Sequence, residues 1–487
     1  MIFLKVKENG GSLMPSLNLL SKRQKYALHL TSLDILQEVG VIVPYEEALR
    51  KLEEAGAEVD YRGQLVRIPQ HLAEEALQKT PHRFSVYHRD FKIRKILGGD
   101  ETHFGTVGFA TNFYDATSRT YRRVTVQDLA NATKIADALD NVELYMCMGS
   151  PMDVPHEIVD RYMWATAFEN TSKPIINEAM RKEGALDAIE MASAIVGGVE
   201  ELRKKPIMLL LMSITSPLTY DRATLEAFIE ACKLGIPVFV NSGPMAGATS
   251  PVTLAGTLTL NMAEFISALV IRYVVNKDAP LIIGSWARAM DVREASAVLG
   301  GPEFALLHAC VANLAHYYGI PSAGGGVLSD SKSLDAQMGY EKALTGVFPA
   351  LAGLNLICGM GLIASENTMS LEGLVIDNEV VSMIKKIVNG FEITDETLAF
   401  DVIKKVGPKG SFIMERHTLE HFRKEIWIPK ITNRTFPEIW VKSGAKDLWV
   451  KAKEETEKIL REHEVLPLSK DAKDKIMNIV KRKKEGA

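Results

Sequence analysis

Eight short apolar runs recur between residues 103 and 361, spaced by stretches with helical periodicity. The runs are HFGTVGFA (103–110), VELYMCMG (142–149), KPIINEA (173–179), PIMLLLMS (206–213), IPVFVNSG (236–243), PLIIGSWA (280–287), IPSAGGG (320–326) and LNLICGMG (354–361). Between them lie amphipathic patterns such as TVQDLANATKIADALD and DRATLEAFIEACKLG. Strands covered by helices on both faces lose period-two alternation, and these runs lack it. Eight strand–helix repeats predict an α/β fold, a closed (β/α)8 TIM barrel; an open doubly wound sheet is the alternative.

The flanks read differently. Residues 1–100 predict a helical N-terminal extension: helices over 21–39, 44–55 and 71–79, and a short hairpin turning at Arg62-Gly63. Residues 101–370 form the expected catalytic barrel, and 371–487 a charged, helical C-terminal extension. The start, MIFLKVKENGG, meets Lys5 and Lys7 too soon for a signal-peptide core. The uncharged run 347–364 holds Pro349 and three glycines, so it reads as a helix end followed by a buried strand rather than a membrane span. With 57 Lys+Arg against 61 Asp+Glu, the net charge of −4 offers no electrostatic footprint for nucleic acid, and the basic tail reads as a solvated helix end. The four cysteines are 85, 78 and 48 residues apart and sit in apolar runs, as buried thiols of a reducing cytosol do.

Barrel chemistry sits where strands end and loops begin. That rule selects Phe109, Asn112 and Tyr114 after the first strand, and Asn177 and Glu178 at the end of the third. It selects Asn241 after the fifth, Trp286 and Arg288 after the sixth, and Gly324, Gly325, Gly326, Val327 and Asp330 after the seventh. No histidine is among them, so a Ser/His/Asp triad is excluded from this set. Glu178 with Asp153 or Asp330 could pair carboxylates as glycosidases do. Lys332, after the glycine loop, could form a Schiff base, the basis of a lyase or aldolase alternative. His417 and His421 share a helix face, but HTLEH lacks the protease Glu and reads as packing; no metal site is expected. Gly359-Met360-Gly361 loosely matches a dinucleotide loop but closes the eighth repeat, where a tight barrel turn fits better.

The run GGGVLSDSKSLDAQMGYEKALTG and the string ERHTLEHFRKEIWIPKITNRTFPEIW resemble the trimethylamine methyltransferase family, and the resemblance spans roughly residues 20–465. It implies a barrel enzyme that passes a methyl group from an amine to the cobalt of a separate corrinoid protein. Founding members of that family carry pyrrolysine after strand seven. All 487 letters here are standard, with Gly326, Val327 and Leu328 nearest that position. The non-pyrrolysine branch is associated with quaternary amines, chiefly glycine betaine, and with proline betaine and carnitine. None of the eleven histidines has Asp two residues before it, so the Asp-x-His-x-x-Gly corrinoid signature is missing and the cobalamin is expected on a partner protein. A homo-oligomer is also expected.

A quaternary nitrogen already carries the charge that makes its methyl group leave, so such an enzyme needs no proton donor. It must cage a cation, aim one methyl and exclude water; alignment alone supplies about 7–11 kcal/mol. Phe109, Tyr114 and Trp286 are the aromatic candidates for the cation. Glu178 is expected opposite it, and Glu178 and Asp330 are the catalytic candidates. Arg288 or Asn241 could hold a betaine carboxylate. The glycine loop is expected to leave room for the corrin face. A binding protein that senses betaine without turnover is the remaining alternative.

Overall fold

Each of the eight apolar runs supplies one parallel strand. The computed structural model describes residues 3–9 and 12–482. Met1, Ile2, Gly10, Gly11 and Lys483–Ala487, parts of the leader and basic-tail readings, lie outside the described residues. The strands are β1 (His103–Thr106), β2 (Tyr145–Met146), β3 (Ile175–Glu178), β4 (Met208–Ile214), β5 (Val238–Ser242), β6 (Leu281–Ser285), β7 (Ser322–Gly325) and β8 (Leu356–Met360). They pair in chain order, and β8 pairs with β1. A parallel bridge between Gly105 and Leu144, with the Glu143 N–H donating to the Phe104 carbonyl at 2.8 Å, joins β1 to β2 and closes the barrel.

Eight helices return the chain: α1 (Val126–Ala138), α2 (Val159–Asn170), α3 (Lys182–Val196), α4 (Arg222–Leu234), α5 (Leu254–Asn276), α6 (Pro302–Tyr318), α7 (Ala336–Leu351) and α8 (Leu371–Asn389). Local chemistry sets their ends. Thr125 and Asp128 form a reciprocal capping box on α1. Asp221 and Asp335 cap α4 and α7, and left-handed Gly235 and Gly319 terminate α4 and α6. The expected barrel boundary at 370 cuts off α8; its charged residues disguised the last barrel helix as tail.

Among the described residues α5 is long and apolar enough to cross a membrane, yet most of it is buried. The N-terminal extension covers it: helices Lys22–Asp34 and Gln70–Gln78 pack on α5. The buried Arg272 of α5 donates to the Thr80 hydroxyl at 3.2 Å. The expected hairpin forms between Glu58–Asp60 and Leu65–Arg67. At the other end, helix Leu448–Glu462 packs on α8 and α1, and Lys470–Lys481 on α3 and α2. Glu379 of α8 draws in the intervening chain by accepting the backbone N–H groups of Lys430, Ile431 and Thr432 at 3.0–3.1 Å. Run 347–364 is the end of α7, with Pro349 inside it, and then β8.

Candidate active site

At the C-terminal ends of the strands lies a cavity of about 250 Å³, below the usual span of drug-sized sites and suited to a small ligand. Strand register decides which side chains reach it. Glu178 pairs with Leu211, and Ser213 with Asn241, so these four share the inward face of β3, β4 and β5. Met146 joins from β2 and Phe109 from the turn after β1. Trp286 and Arg288 follow β6, and Ser365 and Glu366 follow β8. Leu299 and Ala297 enter from the hairpin formed by Arg288–Asp291 and Ser296–Val298.

Electrostatics sets this cavity apart. Burial, helped by the nearby Asp221 and Asp160, pushes the Glu178 carboxyl up to about 7. Among the described residues that carboxylate has no hydrogen-bond donor and no ion-pair partner. Glu366 is also pushed up to about 7 by burial, although the Trp286 indole N–H donates to it at 2.6 Å and Arg288 attracts it. Burial lowers the Arg288 guanidinium, which Glu366 partly offsets; one of its N–H groups goes to the Trp286 carbonyl at 3.1 Å. The Asn241 amide donates to Ser213 at 3.3 Å, while its carbonyl oxygen is buried without a donor. Glu366 acts on the Arg288 guanidinium, while the Glu178 carboxyl lines the same cavity without a counter-ion, beside the rings of Trp286 and Phe109. The centroid of Phe239 lies 6.0 Å from that of Trp286. Such a site favours a small cation and has one fixed positive group for an anionic tail.

Polar groups behind the strands hold their tips. Glu264 on α5 is fully buried and accepts the Ser216 hydroxyl and the Leu218 N–H at 2.9 Å each, and the Ser242 hydroxyl. Burial raises its carboxyl. Asn261, one helical turn earlier, donates to Ser242 and accepts from Ser285, both at 2.8 Å. The ring of His308 on α6 meets the Ser285 carbonyl at 2.7 Å. The ends of β4, β5 and β6 are thereby joined. On the β8 side the fully buried Lys342 pairs with Asp377 at 2.6 Å, and Asp377 accepts the Gly361 N–H at 2.7 Å. Gly361 takes a positive φ of 96°, and a Cβ on Gly359 would lie 1.7 Å from the Gly326 carbonyl. The glycine pair is thus a barrel turn, as its position in the eighth repeat implies.

Of the residues selected from sequence, Phe109, Glu178, Asn241, Trp286 and Arg288 line the cavity together. Asn112 lies at a separate crevice with Tyr121 and Lys332, where it is held to Asn367, and Tyr114 lines another beside Trp449. These two belong to an antiparallel pair, Asn112–Asp115 with Thr120–Arg123, that folds away from the cavity. Asn177 points opposite to Glu178, as alternation along β3 requires, and is buried with both amide atoms unpaired.

Asp330 does not line the cavity. It accepts the N–H groups of Leu299 and Gly300 and the Ser365 hydroxyl at 2.7 Å, fastening the hairpin after β6 to the loop after β8. The expectation that it acts on substrate is corrected to one of positioning. Gly324, Gly325, Gly326 and Val327 are not an open corrinoid-facing rim either: all four are buried. A Cβ on Gly324 would strike His308, one on Gly325 Phe304, and one on Gly326 Ile357. The missing side chains admit those neighbours rather than a cofactor. Lys332 is exposed, donates to the Asp330 carbonyl in its own loop at 2.6 Å, and lies outside the cavity, which removes the geometry for a Schiff base. The rings of His417 and His421 sit 4.3 Å apart on an outer helix, and among the described residues no group of three metal-ligating side chains forms. Cys147, Cys232 and Cys358 are buried, and Cys310 is half-buried.

Sequence reasoning missed Glu366. It sits in a loop where Ala364, Ser365 and Glu366 all take positive φ. Three consecutive non-glycine residues in that region mark a backbone held by its surroundings. The letters ASEN after the glycine turn show nothing of this.

The family model described as trimethylamine methyltransferase (MTTB) matches residues 8–487. The trimethylamine methyltransferase MttB of Desulfitobacterium hafniense (strain DSM 10664 / DCB-2) is 37% identical over 460 residues, covering 94% of this chain and 92% of that protein. The glycine betaine methyltransferase of Desulfitobacterium hafniense (strain Y51) is 33% identical over 434 residues, covering 89% and 90%. The trimethylamine methyltransferase MttB of Methanosarcina thermophila is 35% identical over 461 residues, covering 93% and 95%. A barrel with a small acidic, aromatic cavity at its strand tips, matched along nearly its whole length, therefore belongs to the trimethylamine methyltransferase family.

Proposed function

We propose that this protein transfers a methyl group from a small quaternary amine, glycine betaine, to the cobalt of a corrinoid carried by a separate protein. The observation that carries this reading is Glu178: a half-buried carboxylate without a counter-ion among the described residues, in a cavity walled by Trp286 and Phe109. A trimethylammonium group supplies the missing charge without needing a hydrogen bond. Each aromatic face adds about 0.5–2 kcal/mol. Arg288 has N–H groups left over for the betaine carboxylate, and the unpaired Asn241 carbonyl oxygen lies against the polarised methyl hydrogens. The glycine betaine methyltransferase among the relatives supports this assignment.

In the transfer, the acceptor's electron pair attacks a methyl carbon while the C–N bond breaks. Nitrogen keeps the bonding pair, and dimethylglycine leaves as a neutral amine with its carboxylate. No proton moves. The protein's residues bind and aim: Glu178 and Glu366 hold the charge, the rings exclude water, and Asp330 keeps the two mouth loops together. Met152 and Met180 stand exposed in the loops after β2 and β3, apolar surface at the end of the barrel where the corrinoid carrier must approach.

Incubation with cob(I)alamin and a panel of glycine betaine, proline betaine, carnitine and trimethylamine tests the reading. Glycine betaine is expected to give methylcobalamin and dimethylglycine. No spectral change with any quaternary amine refutes it.

A further inference from the structure

Glu366 stands on a strained piece of chain. Ala364, Ser365 and Glu366 take φ of 52°, 54° and 66° in succession, a region that none of the three favours. Such a run persists only where the surroundings impose it. The turn closes an antiparallel pair, Leu362–Ile363 with Thr368–Met369, and its root is Gly361, whose carbonyl accepts the Ser370 N–H at 3.0 Å.

Two neighbouring charges on α7 grip this turn, one at its tip and one at its root. Glu341 is buried and accepts the Ser329 hydroxyl at 2.7 Å and the Asp330 N–H at 2.8 Å. The loop so held takes the tip. The Ser331 carbonyl accepts the Ala364 N–H at 2.8 Å, the Ser329 carbonyl accepts the Ser365 N–H at 3.1 Å, and Asp330 accepts the Ser365 hydroxyl. Lys342 serves the root. It donates to the Leu362 carbonyl at 2.9 Å and to Asp377, which in turn accepts the Gly361 N–H.

A fully buried ion pair is a poor way to stabilise a fold, because stripping water from two charges offsets most of their attraction. Burial here lowers the Lys342 ammonium and raises the Asp377 carboxyl. Asp377 Oδ1 is buried without a donor among the described residues. An apolar pair of similar size would fill the space without that cost. It could not hold the N–H of Gly361 and the carbonyl of Leu362, where the Glu366 turn begins.

We propose that Glu341, Lys342 and Asp377 are positioning residues for Glu366, and that the buried ion pair serves the cavity rather than the fold. Their part in methyl transfer rests on the amine reading of the cavity; their hold on Glu366 does not.

Trp286 reports on Glu366 without any ligand, because its indole N–H donates to that carboxyl at 2.6 Å. Arg288 attracts the carboxylate and Asp330 repels it, while Glu178 lines the same cavity. Indole emission of the ligand-free full chain is expected to titrate with a midpoint near 7, and the component removed by both Trp286→Phe and Glu366→Gln belongs to this contact. Lys342→Met/Asp377→Leu is expected to melt close to the wild type while that midpoint falls by about one pH unit or more, as the carboxyl leaves its seat for water. Glu341→Leu should lower it likewise. Glu341→Gln, whose amide oxygen still accepts both hydrogen bonds, should keep it near 7. With glycine betaine, the double variant should show KM raised about tenfold and kcat changed less, the mark of lost binding rather than lost chemistry.

A midpoint that stays near 7 in the folded double variant or in Glu341→Leu overturns the proposal. So does a double variant that does not fold, since the pair would then hold the barrel itself. A wild type without a transition common to both controls overturns it too. Methyl transfer absent with every amine, while the midpoint shifts as expected, refutes the amine reading and supports the positioning role.

Discussion

Replacing Glu178 with Gln should raise stability and lower affinity at once, and the two effects should separate along the pH axis. Burial holds the Glu178 carboxyl at about 7, against an ordinary value of 4.5. A group raised in the folded state contributes stability that is fully present below 4.5 and is lost as pH climbs through 7. At about 1.4 kcal/mol per pH unit, the empty protein loses about 3 kcal/mol through this residue by pH 8. The amide has no such loss. Glu178→Gln should therefore gain about 3 kcal/mol on the wild type between pH 4.5 and pH 8, roughly 3 °C in melting temperature for a chain of this size. Affinity moves the other way. A trimethylammonium centre about 5 Å from the carboxylate gains about 3 kcal/mol at an effective dielectric near 20. The variant should bind glycine betaine about a hundredfold more weakly at pH 8, and less so at pH 5.5, where the wild-type group is protonated. Thermal melts and titration calorimetry at both pH values measure this. A stability difference that does not change with pH, or an affinity that survives the substitution at pH 8, refutes the reasoning.

Other outcomes follow from the same geometry. Wild-type KM for a quaternary amine should fall as pH rises from 6 to 8, because Glu178 and Glu366 both ionise near 7 and the ionised forms attract the cation; a flat profile contradicts this. Trp286→Leu removes the ring face and the N–H held by Glu366, and steady-state kinetics should show KM raised about 5- to 30-fold. Arg288→Met should weaken glycine betaine binding while sparing tetramethylammonium, which has no carboxylate; equal losses for both would show that Arg288 only shapes the wall. Lys342→Met leaves Asp377 buried without its partner and should cost about 3–5 kcal/mol in chemical denaturation, with Lys342→Met/Asp377→Leu recovering much of it. Lys332→Ala should leave methyl transfer unchanged, and borohydride should trap no substrate on the wild type.

The barrel was legible because each buried strand is a run of apolar letters and helices such as α1, α4 and α7 carry their own period and caps. The inward members of the site were legible for a related reason: Glu178 and Asn241 lie at the ends of their strands, and Trp286 and Arg288 follow one within a few residues, where the path of the chain is fixed. Legibility failed where loops fold on themselves. Asn112 and Tyr114 follow β1 in the same loop as Phe109, a few residues further on, yet a local antiparallel pair turns them away. Gly324–Gly326 look like an open mouth in letters because glycine reads equally as empty space or as space filled by Phe304, His308 and Ile357. Asp330 carries the charge expected of a catalytic acid, but three donors across two loops had already claimed it. Glu366 owes its place to backbone conformation, which single letters do not encode.

The chain of contacts from Glu264 through Ser242 and Asn261 to Ser285 and His308 divides labour between two faces of the same wall. What aligns the strand tips is on the helix side; what a substrate would touch is on the other. Ser213, Asn241 and Leu299 can therefore be exchanged, by selection or by design, without disturbing the frame that presents them. The frame and the surface it presents are thus held by different sets of residues.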